Sequence, residues 1–210
     1  MFDDNMEPTE IGRGAEATIR MTDFYGRPAV VKSRVKKGYR HPDLDRHLRM
    51  LRTRTEVRVM VDARKAGVRS PVIYDVDLDN GEITMEFLEG DSVKHILDAH
   101  PERMEEICDK IGSAVAKLHN NRISHGDLTT SNMIMVGDDI CMIDFSMGDT
   151  RVDIEQMGVD LRLLERAFTS AHSTMDGAFE RIISSYRSEM TIAPQVLSKV
   201  EEIKGRARYT

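Results

Sequence analysis

Two short runs constrain this chain more than anything else in it: His125-Gly126-Asp127-Leu128-Thr129-Thr130-Ser131-Asn132 and, further on, Ile143-Asp144-Phe145-Ser146. Asp127 and Asn132 stand five residues apart on a loop between a helical and a strand pattern. Twelve residues after Asn132, a second strand ends in Asp144. An amide oxygen and a carboxylate are hard ligands of the kind Mg²⁺ prefers. A further carboxylate can orient a hydroxyl or water and accept its proton. Asp127 suits the proton role, and Asn132 with Asp144 suits the metal. A loop rich in Asp, Asn and Ser is also ordinary turn chemistry, so these runs need support from elsewhere in the chain.

That support lies upstream, in the order a kinase requires. Ala29-Val30-Val31-Lys32 reads as a strand ending in a lysine, and Glu56 follows twenty-four residues later on a long helical pattern. A lysine on the α- and β-phosphates, held by a helix glutamate, is the expected pairing. Ile11-Gly12-Arg13-Gly14-Ala15-Glu16-Ala17 occupies the place of a phosphate-binding loop, with two glycines and Ala17 at the third position. Alone it would read as a plain β-turn. Met85-Glu86-Phe87-Leu88 falls where a kinase hinge offers backbone groups to adenine. Ile11, Gly12, Gly14, Ile19, Val30, Lys32, Met85, Glu86, Leu88 and Ile134 are the expected ATP-binding residues.

The coarse pattern predicts an α+β chain: a minimal two-lobed protein-kinase-like fold with a strand-rich N-lobe, one long helix and a mostly helical C-lobe. Residues 1–89 form the N-lobe, 90–203 the C-lobe with the catalytic loop, and 204–210 a basic tail. The long helix runs from about Asp43 to Ala66, with Leu44, Leu48, Leu51 and Thr55 along one face. A second runs from Pro101 to His119 with Met104, Ile107, Ile111, Ala114, Val115 and Leu118 on its stripe. From about Val159 the chain is helical. Asp160, at the start of that helix, either braces the catalytic loop or is a helix N-terminal carboxylate. Asp160 follows Asp144 by only sixteen positions, and no Ala-Pro-Glu segment lies between them. An ordinary activation loop cannot fit there.

Composition sets the remaining bounds. A chain of 210 residues holds one domain or two small lobes. A net charge of −6 argues against a free-standing nucleic-acid binder. Basic residues nevertheless crowd from Lys32 to Arg58 and recur at Lys204, Arg206 and Arg208; they read as a solvated helix face and a frayed tail or, alternatively, as a site for phosphate or an RNA backbone. Residues 1–10 are acidic with no apolar core, unlike a secretory signal. No stretch reaches the length of a membrane span. Cys108 and Cys141 fall in apolar patterns and read as buried thiols. A cytoplasmic protein follows. His125 is expected to pack in the loop without being a catalyst.

Three runs together resemble the p53-related protein kinase family, the small kinase subunit of the KEOPS (EKC) complex. They are Gly12 to Ala17, Tyr39-Arg40-His41-Pro42-Asp43-Leu44-Asp45 with Arg52-Thr53-Arg54-Thr55-Glu56, and His125 to Asn132. The resemblance spans essentially the whole chain. It implies an atypical serine/threonine kinase or ATPase using ATP and Mg²⁺, for which Mn²⁺ could substitute. Such an enzyme supports formation of threonylcarbamoyladenosine in tRNA. It further implies a transferase partner on the C-lobe, a small regulatory partner on the N-lobe, and a basic tail, here Lys204 to Arg208, serving the tRNA reaction. Thr129 stands where many protein kinases have a lysine, and Ser146 where they have a glycine. Two other readings share the motifs: a kinase-fold scaffold that binds ATP without turnover, and a RIO-like or small-molecule kinase.

Overall fold

The computed structural model describes residues 10–14 and 16–206. The expected domain ends at residues 1–9 and 207–210, Arg208 among them, lie outside the described residues, as does Ala15. The chain divides into two compact units, one reaching to Arg58 and including Pro71–Leu88, the other made of Val59–Ser70 and the chain from Glu89 onward.

The first unit is a five-stranded antiparallel sheet with a helix up to Arg58, the last turns of that helix being counted with the second unit. Strands β1 (Glu10–Arg13), β2 (Ala17–Asp23) and β3 (Pro28–Arg34) are followed by helix α1 (Pro42–Lys65), then β4 (Ile73–Asp77) and β5 (Glu82–Glu86), in the order β1-β2-β3-β5-β4. Turn chemistry sets the register. Between β2 and β3, Gly26 takes φ +80° and donates its N–H to Asp23 Oδ1 at 2.7 Å. Between β4 and β5, Asp77 caps the turn by accepting from Asn80 N–H at 3.0 Å, and Gly81 takes φ +71°.

Helix α1 corrects the expected amphipathic face. Leu44 and Leu51 are exposed, whereas Asp45, Arg49, Thr53 and Glu56 are buried. Over the first part of α1 the inner face is therefore polar and ionic, and it turns apolar from Val59, with Met60 and Ala63 also buried. Arg49 Nε donates to Asp45 Oδ2 at 2.9 Å, and Arg49 Nη1 to the Asn80 carbonyl at 2.6 Å. Arg46 pairs with Asp79 and Arg52 with Glu16. Much of the basic run from Lys32 to Arg58 is thus engaged in holding α1 to the sheet of its own unit. A buried charge persists only where a partner compensates its lost hydration, and here each named charge has one.

The second unit is mainly helical. It contains β6 (Asp91–Ser92), α2 (Val93–Ala99), α3 (Met104–Asn120), β7 (Ile123–Ser124), β8 (Met133–Val136), β9 (Asp139–Met142), β10 (Asp149–Thr150), α4 (Ile154–Ala171), α5 (Ala178–Glu189) and α6 (Ala193–Arg206). Ser92 caps α2, accepting from His95 N–H. Ile107, Ile111, Val115 and Leu118 of α3 are buried, as their spacing predicts, alongside Leu161, Leu164, Phe168, Ile182 and Val196, whereas Met104 and Ala114 of the same stripe are only partly covered. Helix α4 starts earlier than Val159. Asp153 is its N-cap, in a capping box with Gln156.

The C-terminal boundary also changes. Lys204 and Arg206 are not in a tail but in the last turn of α6. Lys204 Nζ pairs with Glu165 and Glu201, and Arg206 with Glu155 and Glu202. The expected tail of 204–210 therefore loses both cations to a helix–helix ion ladder, because acids of α4 face them at one side and α6's own acids at another. Among the described residues, no helix is long and apolar enough to cross a membrane.

Candidate functional site

In the first unit the expected residues fall into register. Antiparallel pairing sets Gly12 opposite Ile19 and Ile19 opposite Lys32, and Val30 opposite Met85. One row across three strands thus carries Gly12, Ile19 and Lys32. The turn between β1 and β2 is closed by Gly14 N–H on the Ala17 carbonyl at 2.9 Å. A Cβ on Gly12 or Gly14 would meet nothing closer than 3.6 Å, so neither glycine is imposed by the turn itself. Ile11 is exposed; Val30 and Met85 are buried. The Glu86 N–H is given to the Val72 carbonyl at 2.8 Å. The Glu86 N–H is therefore already engaged within its own unit.

Lys32 Nζ lies 2.6 Å from Glu56 Oε1, both side chains buried. The expected pair is formed. A residue the sequence did not single out completes it: Arg34 Nη2 donates to Glu56 Oε2 at 2.5 Å. No spacing rule predicts that contact. Its only sequence trace is a second cation at i+2 on the same strand face.

In the second unit, Asp127, Asn132 and Asp144 stand on one scaffold. Asp127 is exposed. Both acceptors for the Asn132 amide N–H₂ belong to it: Asp127 Oδ2 at 2.9 Å and the Asp127 carbonyl at 3.0 Å. That orientation turns the Asn132 amide oxygen away from Asp127, leaving it for a cation. Asp144 takes φ +61°, a left-handed conformation that Asp tolerates better than most residues and that often marks functional positions. Among the described residues no cluster of three or more His, Cys, Asp or Glu could hold a metal. Two protein oxygens suit Mg²⁺, which keeps waters and takes phosphate oxygens as further ligands. The residues present fit that ion.

His125 connects the two acidic segments. Its Nδ1 accepts the Asp127 N–H at 3.3 Å, which leaves Nε2 to donate to the Ile143 carbonyl at 3.0 Å. Burial holds its pKa below the ordinary imidazole value, against the pull of nearby carboxylates. A neutral ring in that tautomer makes both bonds, and its ring packs on Phe145 at 4.5 Å. Asp160 settles between its two expected roles. It lies past the first turn of α4 and accepts His125 N–H on Oδ2 and Gly126 N–H on Oδ1, each at 2.8 Å. It is a brace for the loop. His119, whose Nδ1 meets Tyr186 Oη at 2.9 Å, approaches the same carboxylate through Nε2 at 3.4 Å.

The segment after Asp144 is short because it turns back at once. β10 pairs with β7, setting Asp149 opposite Ser124 and Thr150 opposite Ile123. The two strands flank the catalytic loop on one side and the Asp144 segment on the other. Gly126, at φ +81°, permits the approach: a Cβ there would lie 2.1 Å from the Met147 carbonyl oxygen. Ile134 lies on β8 in the same unit.

Sheet, helix and loop together define a kinase-like fold with a strand-rich unit followed by a helical one. Two solved structures share it at 15% identity: WaaP in complex with acyl carrier protein and the Rio2 kinase of Chaetomium thermophilum. The first has a TM-score of 0.63, covering 97% of this chain and 90% of that one. The second has 0.64, covering 93% and 70%. The RIO domain family matches residues 19–170. The KEOPS complex subunit Bud32 of Pyrococcus abyssi is 39% identical over 210 residues, covering 95% of both chains. The EKC/KEOPS complex subunit bud32 of Dictyostelium discoideum is 37% identical over 206 residues, covering 94% of this chain and 82% of the relative. A probable bifunctional tRNA threonylcarbamoyladenosine biosynthesis protein of Methanothermobacter thermautotrophicus is 40% identical over 206 residues, covering 98% of this chain. This chain spans only 37% of that relative's length. The chain belongs to the RIO domain family and, within it, to the Bud32 family of KEOPS subunits.

Proposed function

We propose that this chain is an atypical Mg-ATP-dependent serine/threonine kinase or ATPase that acts within a KEOPS assembly to support threonylcarbamoyladenosine formation in tRNA. The observation that carries the reading is the Asn132–Asp127 contact, which leaves one amide oxygen for a cation beside an exposed carboxylate. The printed names of the relatives supply the biological setting.

In this reading Lys32, held by Glu56, takes the α- and β-phosphates. Ile11, Gly12, Gly14, Ile19, Val30, Met85 and Ile134 surround the nucleotide, and the Glu86 carbonyl and Leu88 N–H meet the adenine edge. Asn132 and Asp144 would hold Mg²⁺, and the ion would supply neutralisation of phosphate charge there. Asp127 accepts the proton of the attacking water or hydroxyl, that oxygen takes the γ-phosphoryl group, and ADP leaves. His125 and Asp160 keep Asp127 in place. The transferase partner sits on the helical unit and a small regulatory partner on the strand-rich unit. tRNA is reached through the complex.

The test follows γ-labelled phosphate from Mg-ATP, with wild type and Asp127→Ala, each alone and with the transferase partner and tRNA. Release or transfer that needs Asp127 and rises with partner and tRNA is expected. ATP bound but never cleaved under any condition would leave a scaffold.

A further inference from the structure

Arg34 follows Lys32 by two positions on β3, so strand alternation sends both side chains to one face. Both are buried, and both end on the same buried carboxylate: Lys32 on Glu56 Oε1 and Arg34 on Glu56 Oε2. The kinase pairing needs only the first cation. As a stabiliser the second is a poor choice. A buried guanidinium loses its hydration, and among the described residues Arg34 Nε–H finds no acceptor. An apolar side chain on a strand core would cost less.

The chemistry of the carboxylate suggests why it is there. A lysine ammonium has three donors and no preferred plane. A carboxylate facing it alone can offer both oxygens, which uses two donors and draws Nζ onto the helix. A planar guanidinium on one oxygen fixes the plane of the carboxylate and confines the lysine to the other. Arg34 is itself anchored through its backbone, whose N–H meets the Gly81 carbonyl at 3.0 Å. Gly81, at φ +71°, would bring a Cβ within 3.6 Å of Arg34 Cβ.

We propose that Arg34 is a positioning residue for nucleotide binding: by occupying Glu56 Oε2 it sets where Lys32 Nζ meets the phosphates. The proposal rests on the reading of Lys32 as a phosphate ligand. It separates Arg34 from a residue that merely supports the sheet, because only phosphate-bearing ligands depend on Nζ.

The experiment measures affinity for a non-hydrolysable Mg-ATP analogue and for adenosine, by calorimetry on the full chain. Wild type, Arg34→Gln, Arg34→Lys and Lys32→Met are compared. Arg34→Gln is expected to weaken the analogue about tenfold and adenosine less than about twofold, the loss of one charge-assisted contact at the phosphates. Arg34→Lys keeps a cation on Oε2 without the rigid plane, and is expected to recover about half of that loss on a logarithmic scale. If Arg34→Gln does not fold, the ratio of the two affinities in Arg34→Lys decides. An unchanged ratio in either variant, whether both ligands weaken equally or neither does, overturns the proposal. Lys32→Met binding the analogue like wild type overturns instead the assignment of Lys32 beneath it.

Discussion

Asp160 Oδ1 accepts the backbone N–H of Gly126 at 2.8 Å, and its second oxygen does the same for His125. One buried carboxylate thus fixes the peptide units directly before Asp127. Asp160→Asn keeps the shape but turns an N–H₂ toward an N–H. The variant is expected to lose on the order of 3 kcal/mol of stability, as when one partner of a buried charged hydrogen-bond network is removed. Urea unfolding checks the loss. ATP turnover should fall with it even at temperatures where the variant is folded. A wild-type unfolding midpoint would mean that the loop holds itself.

The exposed leucines of α1 give a contrasting expectation. Leu44 is 52% and Leu51 48% exposed. Replacing both with serine should change stability by no more than about 0.5 kcal/mol, as for surface positions generally. Arg49→Leu, by contrast, would leave Asp45 with only Arg40 and the Lys37 N–H, would strip the Asn80 carbonyl of its donor, and should cost more than the leucine replacements. Unfolding curves of the two variants should therefore rank opposite to hydrophobicity. The reverse order would restore the leucine face as the inner one.

Acid should weaken the fold in two stages. Burial holds His172 below its ordinary value of 6.5, and the opposing pull of Asp98, 3.4 Å from Nδ1, does not overcome it. The unfolded chain binds that proton first, so His172's contribution is complete above about pH 6.5 and is lost as pH falls toward the folded value. The slope is at most about 1.4 kcal/mol per pH unit. For Asp160, burial pushes the pKa up, but the His119 hydrogen bond and charge with the His125 N–H outweigh it, and the net value lies below 3.8. Its contribution is present above about pH 3.8 and lost as pH falls through the folded value. Denaturant unfolding between pH 7 and 5 should show a slope that His172→Gln reduces, the remainder belonging to His125, which burial also holds below its ordinary value. A slope unchanged by that substitution would place the titrating group elsewhere.

Lys204 offers a test of the ion ladder. It meets Glu165 and Glu201, both at 2.9 Å. Lys204→Gln should cost less than about 1 kcal/mol, the usual worth of a largely surface pair, and the cost should shrink in high salt. If tRNA-dependent activity also falls while stability does not, the lysine serves the nucleic acid and not the helix pair.

The parts legible in the sequence are those whose chemistry admits few substitutes. Asp127, Asn132 and Asp144 could be read from residue type and spacing, and Lys32 with Glu56 from their order. Arg34 could not, since nothing in a linear pattern says that one carboxylate will meet two cations. The inner face of α1 was misread because apolar periodicity assumes that burial follows hydrophobicity, whereas Asp45, Arg49 and Glu56 are buried through pairing. The start of α4 was available in Asp153 and Gln156, a capping box three residues apart, but the apolar run beginning later drew attention past it. Lys204 and Arg206 read as a free tail because their partners on α4, Glu165 and Glu155, lie thirty-nine and fifty-one positions earlier in the chain.

The pairing of β10 with β7 has a consequence for control. Many kinases are held inactive by a long loop that becomes ordered when a phosphate is added. Here the backbone is already stitched to the catalytic loop five residues beyond Asp144, and no slack remains to be gathered in. A chain built this way has no timer of its own in that segment. Under the proposed reading, an ordering step of that kind has no place between Asp144 and Asp149 and would have to act on another part of the protein.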